Sequence, residues 1–270
     1  MSVTVTNQTR LFVSVAAQPG NFGATVFNAL FAHYGINAVY LPRTAPGAKE
    51  LADALRTFQV AGCSVSMPLK SAILPHLDEI SEEARQIQSV NTVTNHSGRL
   101  TGYNTDYFGC REVLRGAGPL RSLLVYGSGS VVQSVVFAAK NLGIPDIRLC
   151  GRNPQRTFER AEGLEIQTHS PGQSGERFDL LINATPSGDD PGDGIRPLLE
   201  QCSRLFDLRV RAAETPLEIA AREKGLPTVP GVEMAKFQLQ KQFELYVGIF
   251  PPVGLLEEVI RQGFLGKPVA

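Results

Sequence analysis

The chain has 270 residues, 43% hydrophobic and 19% charged, enough for one or two globular domains with a substantial core. Lys plus Arg and Asp plus Glu each number 26, a balance that argues against nucleic-acid binding by bulk positive charge. No apolar run approaches the ~20 residues of a membrane span, and the polar stretch 1–10 lacks the layout of a secretion signal, so a cytoplasmic protein with no membrane partner is expected.

In chain order, Arg10 to Ala16 predicts a strand. Asn21 to Tyr34 predicts a helix, with Val26, Phe27, Leu30, Phe31 and Tyr34 on one face and Gly35 as its stop. Asn37 to Leu41 is the next strand, Ala48 to Phe58 a helix with Leu51, Leu55 and Phe58 on one stripe, and Cys63 to Ser66 a short strand before Pro68. Val90 to Asn95 and Arg99 to Tyr103 predict a hairpin closed by His96-Ser97-Gly98. A second alternating series follows, with strands at Ser122–Tyr126, Ile147–Cys150, Phe178–Ile182 and Leu205–Leu208 and a helix at Ser130–Leu142. Long helices close the chain at Glu233–Tyr246 and Gly254–Gln262. Alternating strands and helices imply parallel sheets covered on both faces, and two series imply two α/β domains joined near Tyr103 to Tyr107.

The cysteines at 63, 110, 150 and 202 form no CxxC pair and sit in or beside apolar runs, which predicts reduced, buried thiols. The histidines at 33, 76, 96 and 169 lack ligand spacing, so no metal is expected. The run Gly188 to Gly194 reads as a solvated loop.

The nucleotide signal begins at Tyr126-Gly127-Ser128-Gly129-Ser130-Val131-Val132, which follows an apolar strand and opens a helix. Such a turn brings backbone N–H groups to a pyrophosphate at a helix N-terminus. A tight strand–helix turn with no ligand is the competing reading, and Val132 holds the position usually given to a third glycine or alanine. After the next strand comes Gly151-Arg152-Asn153-Pro154-Gln155-Arg156. An acid there would hold the ribose 2′-hydroxyl of NAD, but Arg152 and Arg156 suit a 2′-phosphate, so NADP is expected over NAD. Solvent-facing arginines at a helix start are the plainer alternative.

Three further stretches are polar, irregular and flanked by apolar residues: Ser64-Val65-Ser66-Met67-Pro68-Leu69-Lys70, Ser89-Val90-Asn91-Thr92 and Gly102-Tyr103-Asn104-Thr105-Asp106. Singly, Lys70 reads as a surface lysine, Asn91 as a strand start and Asp106 as a helix cap. In this order, ahead of the glycine turn, they resemble the shikimate dehydrogenase family. Ile182-Asn183-Ala184-Thr185-Pro186, Glu214-Thr215-Pro216-Leu217 and Gly231 through Gln238 to Tyr246 extend the resemblance over most of the chain.

The resemblance implies an α/β fold with an N-terminal substrate domain over 1–104 plus 237–270 and a Rossmann-like NADP domain over 105–236, the active site lying in the cleft. It implies reversible hydride transfer between C3 of shikimate and NADP, with Lys70 and Asp106 as the catalytic pair. Ser66, Asn91 and Gln238 match positions that hold the ring and its hydroxyls, with Ser66 standing in for a usual threonine. Cofactor contacts are implied for Gly127, Ser128, Gly129, Ser130, Arg152, Arg156, Ala184, Thr185, Pro186, Leu208 and Gly231. The chemistry agrees, because carbonyl reduction produces an alkoxide that needs a proton donor and charge stabilisation, and an ammonium group supplies both.

The match breaks where the family has an S-x-S turn for the substrate carboxylate, because Asn21-Phe22-Gly23 stands there. Asn21 still offers an amide, but Gly23 offers no side chain. A hydrogen bond to a charged group is worth ~1.5–3 kcal/mol, so weaker or displaced binding of the acid is expected. A tyrosine expected after Asp207 is replaced by Val210. These departures resemble the divergent shikimate dehydrogenase-like branch. Quinate or another polyhydroxy cyclohexane carboxylate is an alternative substrate, and an NADP-binding regulatory protein without turnover is the alternative from another class. A monomer or homodimer is expected.

Overall fold

The computed structural model describes residues 5–170, 175–185 and 194–264. Its elements run β1 (Arg10–Val15), α1 (Phe22–His33), β2 (Ala38–Arg43), α2 (Ala48–Thr57), β3 (Gly62–Val65), α3 (Leu69–Ala72), β4 (Glu79–Ile80), α4 (Glu82–Ile87), β5 (Thr92–His96), β6 (Arg99–Tyr103) and α5 (Thr105–Gly116). They continue with β7 (Ser122–Tyr126), α6 (Ser130–Asn141), β8 (Asp146–Cys150), α7 (Pro154–Gly163), β9 (Gln167–Thr168), β10 (Leu180–Asn183), β11 (Leu205–Asp207), α8 (Pro216–Glu223), β12 (Thr228–Pro230), α9 (Gly231–Val247) and α10 (Val253–Phe264). The chain divides into two compact units, Met1–Thr105 with Gln238–Ala270, and Asp106–Phe237.

The first unit holds a six-stranded sheet in the order β2-β1-β3-β5-β6-β4. Period-2 alternation in β1 sends Val13 and Val15 to one face, where they pack with Leu51 and Leu55 of α2, Leu69 of α3 and Ala84 of α4. Phe12 points the other way into an aromatic layer with Phe31 and Tyr246, at 5.1 Å from each ring. Phe27 of α1 stacks on Tyr40 of β2 at 4.6 Å. Asn28 of α1 brackets the same residue, its amide donating to the Tyr40 carbonyl (2.9 Å) and its oxygen accepting from the Tyr40 N–H (2.8 Å). Edge strand β2 thereby satisfies backbone groups that no further strand pairs.

Strand–helix alternation predicts a parallel sheet here, but the sheet is mixed. β1, β2 and β3 are parallel, whereas β5 runs antiparallel to β3 and to β6. The tight turn between β5 and β6 joins only antiparallel neighbours, so β5 alone runs against the other strands, and β6 and β4 return to the direction of β1–β3.

The second unit holds six parallel strands in the order β12-β11-β10-β7-β8-β9. In the unit's own chain order this is 3-2-1-4-5-6 read from the β9 edge, with β7, β8 and β9 as its first three strands, the doubly wound dinucleotide-binding arrangement. Leu124 and Leu181 join Leu217 and Ala221 of α8 in the core on one face. Leu123, Val125 and Ile182, fully buried, alternate to the other face. Val132, Val135 and Val136 are the buried side of α6, and Tyr107 of α5 meets Phe137 of α6 at 5.2 Å. The strand expected over Phe178–Ile182 starts at Leu180, with Phe178 making only an isolated bridge to Cys202.

All four cysteines are free and buried. Burial pushes the Cys150 thiol up to about 11, against a smaller opposing hydrogen bond from Gly151, and the Cys202 thiol to about 12. Both are therefore uncharged near neutral pH. Among the described residues no helix is long and apolar enough to cross a membrane, and no group of three His, Cys, Asp or Glu side chains could hold a metal. Pro186 and the 188–193 part of the glycine- and aspartate-rich run lie outside the described residues.

Candidate functional site

In the first unit, backbone hydrogen bonds knit the ends of β1 and β3 to the polar stretches that follow. The Ser66 N–H donates to the Val15 carbonyl (2.8 Å), and Leu69 N–H donates back to Ser66 (2.9 Å), turning the chain into α3. Lys70 lies within α3, half-buried, and its carbonyl accepts from the Val90 N–H at 2.8 Å. The Val65 N–H donates to the Asn91 carbonyl, also at 2.8 Å. Ser66, Lys70 and Asn91 are thus held on adjoining backbone segments, although widely separated in sequence.

Asn91 is buried, and its side-chain oxygen accepts from the Thr105 N–H (2.7 Å), the Thr105 hydroxyl (3.1 Å) and the Thr92 hydroxyl (2.9 Å). Gln238 donates to the Thr105 hydroxyl at 3.3 Å. Two expected ring-holding residues therefore meet at Thr105. Gln242, one turn along α9, donates to the Thr92 hydroxyl at 2.8 Å. Sequence reasoning did not single out Thr105 or Gln242. The four-residue spacing of Gln238 and Gln242, which puts both on one helix face, was the available signal for the second. Asn21 is exposed at the start of α1 and its side chain makes no capping hydrogen bond. A Cβ on Gly23 would sit 3.7 Å from the Tyr40 ring and 3.8 Å from its hydroxyl, ordinary contact distances that leave room for a serine.

Asp106 follows Thr105 and is the first residue of the second unit, 9% exposed. Since α5 begins at Thr105, Asp106 lies inside the first helical turn and is not the residue preceding the helix. A carboxylate in that turn also complements the helix dipole.

The glycine turn lies between β7 and α6, next to β10, where the strand order reverses. Open α/β sheets bind ligands at such a switch point. Gly127 has φ +141°, and a Cβ there would come within 2.8 Å of the Ala184 carbonyl oxygen. Only glycine is compatible with that backbone and that neighbour. Gly129 precedes the first residue of α6 and has no side chain with which to cap it. This cradle fits the pyrophosphate of a dinucleotide. Ser128 and Ser130 are half-buried beside it, and Val132 is fully buried in α6.

Arg152 and Arg156 are exposed after β8, on either side of Asn153, whose oxygen accepts from the Arg156 N–H at 3.0 Å to start α7. The arginines therefore sit at a capped helix N-terminus beyond the second strand of the sheet, where a doubly wound fold meets the adenosine ribose.

The remaining expected cofactor contacts hang from one buried carboxylate. Asp207, fully buried, accepts from the Asn183 amide (2.9 Å), the Thr215 hydroxyl (2.7 Å) and the Arg209 guanidinium (2.7 Å at its closest). Asn183 in turn accepts from the Thr185 hydroxyl at 2.8 Å, and its carbonyl accepts from the Leu208 N–H at 3.1 Å. Thr215 and Glu218 form a reciprocal cap that starts α8, which gives Glu214-Thr215-Pro216-Leu217 a structural purpose. Burial pushes the Glu218 carboxyl up. Gly231 opens α9 against the same loop, where a Cβ would fall 2.5 Å from the Arg209 carbonyl oxygen. Ala184, Thr185, Leu208 and Gly231 thus share one scaffold. Sequence reasoning missed Arg209 and the role of Asp207, because a buried ion pair two residues apart in a strand-end loop has no periodic signature.

A family profile described as the shikimate dehydrogenase substrate-binding domain matches residues 22–93. A shikimate dehydrogenase-like protein of Haemophilus influenzae is 31% identical over 262 residues, covering 94% of this chain and 96% of its own length. A shikimate dehydrogenase (NADP(+)) of Pyrococcus abyssi is 32% identical over 250 residues, covering 89% of this chain and 92% of its own. The crystal structure of a shikimate 5-dehydrogenase from Thermus thermophilus, in complex with NADP(H) and shikimate, superposes with a TM-score of 0.81 at 28% identity, covering 95% of this chain and 100% of that one.

Proposed function

Because the chain belongs to the shikimate dehydrogenase family, we propose that it is an NADP-dependent oxidoreductase that interconverts shikimate and 3-dehydroshikimate. The observation that carries the reading is the Gly127 cradle at the switch point of a 3-2-1-4-5-6 sheet, beside Ala184. It is supported by the retention of Lys70 and Asp106 in their family order. The dinucleotide, when bound, supplies or accepts the hydride. Lys70 donates the proton that the developing C3 alkoxide needs and stabilises its charge. Asp106 orients that ammonium and accepts a hydrogen bond from a ring hydroxyl. Ser66, Asn91 and Gln238 hold the ring, with Asn91 and Gln238 braced on Thr105. Arg152 and Arg156 hold the 2′-phosphate, and Gly127 to Ser130 the pyrophosphate. Ala184, Thr185, Pro186, Leu208 and Gly231 line the rest of the cofactor. The substrate domain corresponds to the first compact unit and the NADP domain to the second.

An absorbance assay of NADP reduction against shikimate, quinate and related cyclic hydroxy acids tests this directly. The expected result is turnover with shikimate, with kcat/KM for NADP at least tenfold above that for NAD. A preference for NAD overturns the roles of Arg152 and Arg156. Tight NADP binding without turnover of any cyclic acid overturns the enzyme reading in favour of a regulatory protein. A higher kcat/KM for quinate reassigns the substrate.

A further inference from the structure

Four hydroxyl groups meet beneath the substrate-side ends of β1, β2 and β3. Ser14 and Ser64 are register partners on β1 and β3. The Tyr40 hydroxyl donates to the Ser64 oxygen at 2.5 Å, and the Ser64 oxygen lies 3.0 Å from the Tyr246 hydroxyl. Ser14 lies near the Tyr40 phenol.

The direction of each hydrogen bond follows from burial. Tyr40 is 1% exposed and Tyr246 4%, so neither phenol proton has access to water. Ser64 is the one partner of the Tyr246 hydroxyl among the described residues. If Ser64 donated to Tyr246, the phenol's own proton would be buried without an acceptor, the costly arrangement. Tyr246 therefore donates to Ser64, as Tyr40 does. Burial holds both phenols well above their ordinary pKa, so both keep their protons throughout the working pH range.

Ser64 thus accepts two hydrogen bonds through its two lone pairs and keeps one proton with no acceptor among the described residues. Ser64 is half-buried, so part of the residue reaches accessible space. Two phenols donating into one hydroxyl polarise it and make it a stronger donor. Ser64 is also two residues before Ser66, a ring-holding residue in the proposed site, and strand periodicity sends both to the same side. The Tyr40 hydroxyl that anchors it lies 3.8 Å from where a Cβ at Gly23 would be. The donor therefore lies close to the turn that lacks a serine.

The geometry points to Ser64 as a specificity-determining contact, its hydroxyl aimed by Tyr40 and Tyr246 at the carboxylate of the bound cyclic hydroxy acid in place of the side chain missing at Gly23. Tyr40 and Tyr246 are positioning residues that act through Ser64. The inference rests on the proposed oxidoreductase function and specifies how its acid group is recognised.

The test uses the full-length protein with saturating NADP. Ser64→Ala is expected to raise KM and the calorimetric Kd for shikimate by about 10-fold or more, with kcat and the KM for NADP within about threefold of wild type. The loss should fall to about threefold for the uncharged carboxamide of shikimate. Tyr246→Phe keeps the ring packed against Phe12 and Phe27 and should raise the KM for shikimate by about threefold. Gly23→Ser added to Ser64→Ala should recover most of the lost affinity. An unchanged KM in Ser64→Ala, or equal losses on acid and carboxamide, overturns the role of Ser64. A fall in kcat without a change in KM overturns it equally. If the wild-type protein neither binds nor oxidises any cyclic hydroxy acid, the oxidoreductase reading fails and this inference fails with it. Wild-type turnover beside an indifferent Ser64→Ala variant defeats the inference alone.

Discussion

Lys70→Ala is expected to lower kcat with shikimate by about 10²- to 10⁴-fold, the range for losing a positioned proton donor. In the proposed mechanism the alkoxide forming at C3 then has no ammonium beside it, and its charge and proton demand go unmet. The fold should survive, because alanine retains the Lys70 carbonyl that accepts from the Val90 N–H. NADP affinity should stay within about twofold of wild type, since the glycine turn and its cradle belong to the second compact unit. Lys70→Arg separates charge from proton transfer. The guanidinium keeps its positive charge but does not give up a proton in proteins, so turnover should remain low. Near-wild-type turnover in Lys70→Ala removes this residue from the chemistry, and weakened NADP binding shows a structural lesion instead.

Arg209→Met is expected to destabilise the protein by about 3–5 kcal/mol, the cost of stripping one partner from a buried ion pair. The Arg209 and Asp207 side chains are only 4% and 0% exposed, so water does little to screen the loss. Methionine fills the volume but leaves Asp207 with only the Asn183 and Thr215 side-chain donors. Thermal unfolding should shift downward by on the order of 10 °C. The KM for NADP should rise even where the variant is folded, because Thr185 and Leu208 are both tied to Asn183, which Asp207 anchors. An unfolding midpoint within about 2 °C of wild type argues that Asp207 is satisfied without its arginine. Lowered stability with an unchanged KM for NADP confines the network to holding the fold.

The legible part of the site consisted of residues whose chemistry is local. Gly127 and Gly129 stood out because a strand, a glycine turn and a helix are contiguous in the chain. Lys70 and Asp106 are proposed from motif order and family resemblance alone, since neither has a periodic signal of its own. Thr105 was named only as part of a motif, and its function as the brace for Asn91 and Gln238 depends on segments far apart in sequence. Tyr40, Ser64 and Tyr246 look like a strand residue, a motif residue and a helix residue until β1 and β3 pair and α9 packs against them.

By itself the sequence determined the two α/β series, the long helices, the hairpin and the position of the glycine turn, because hydrophobic period, glycine and proline act within about a dozen residues. Tertiary structure alone decided that β4 and β12 exist, for strands of two and three residues carry no period and form only when a neighbour supplies the ladder. It also decided that the hairpin makes the first sheet mixed and that Ala184 closes over Gly127. Strand order and buried hydrogen-bond partners depend on long-range pairing, and the entropic cost of closing those loops is recovered only when the whole sheet assembles.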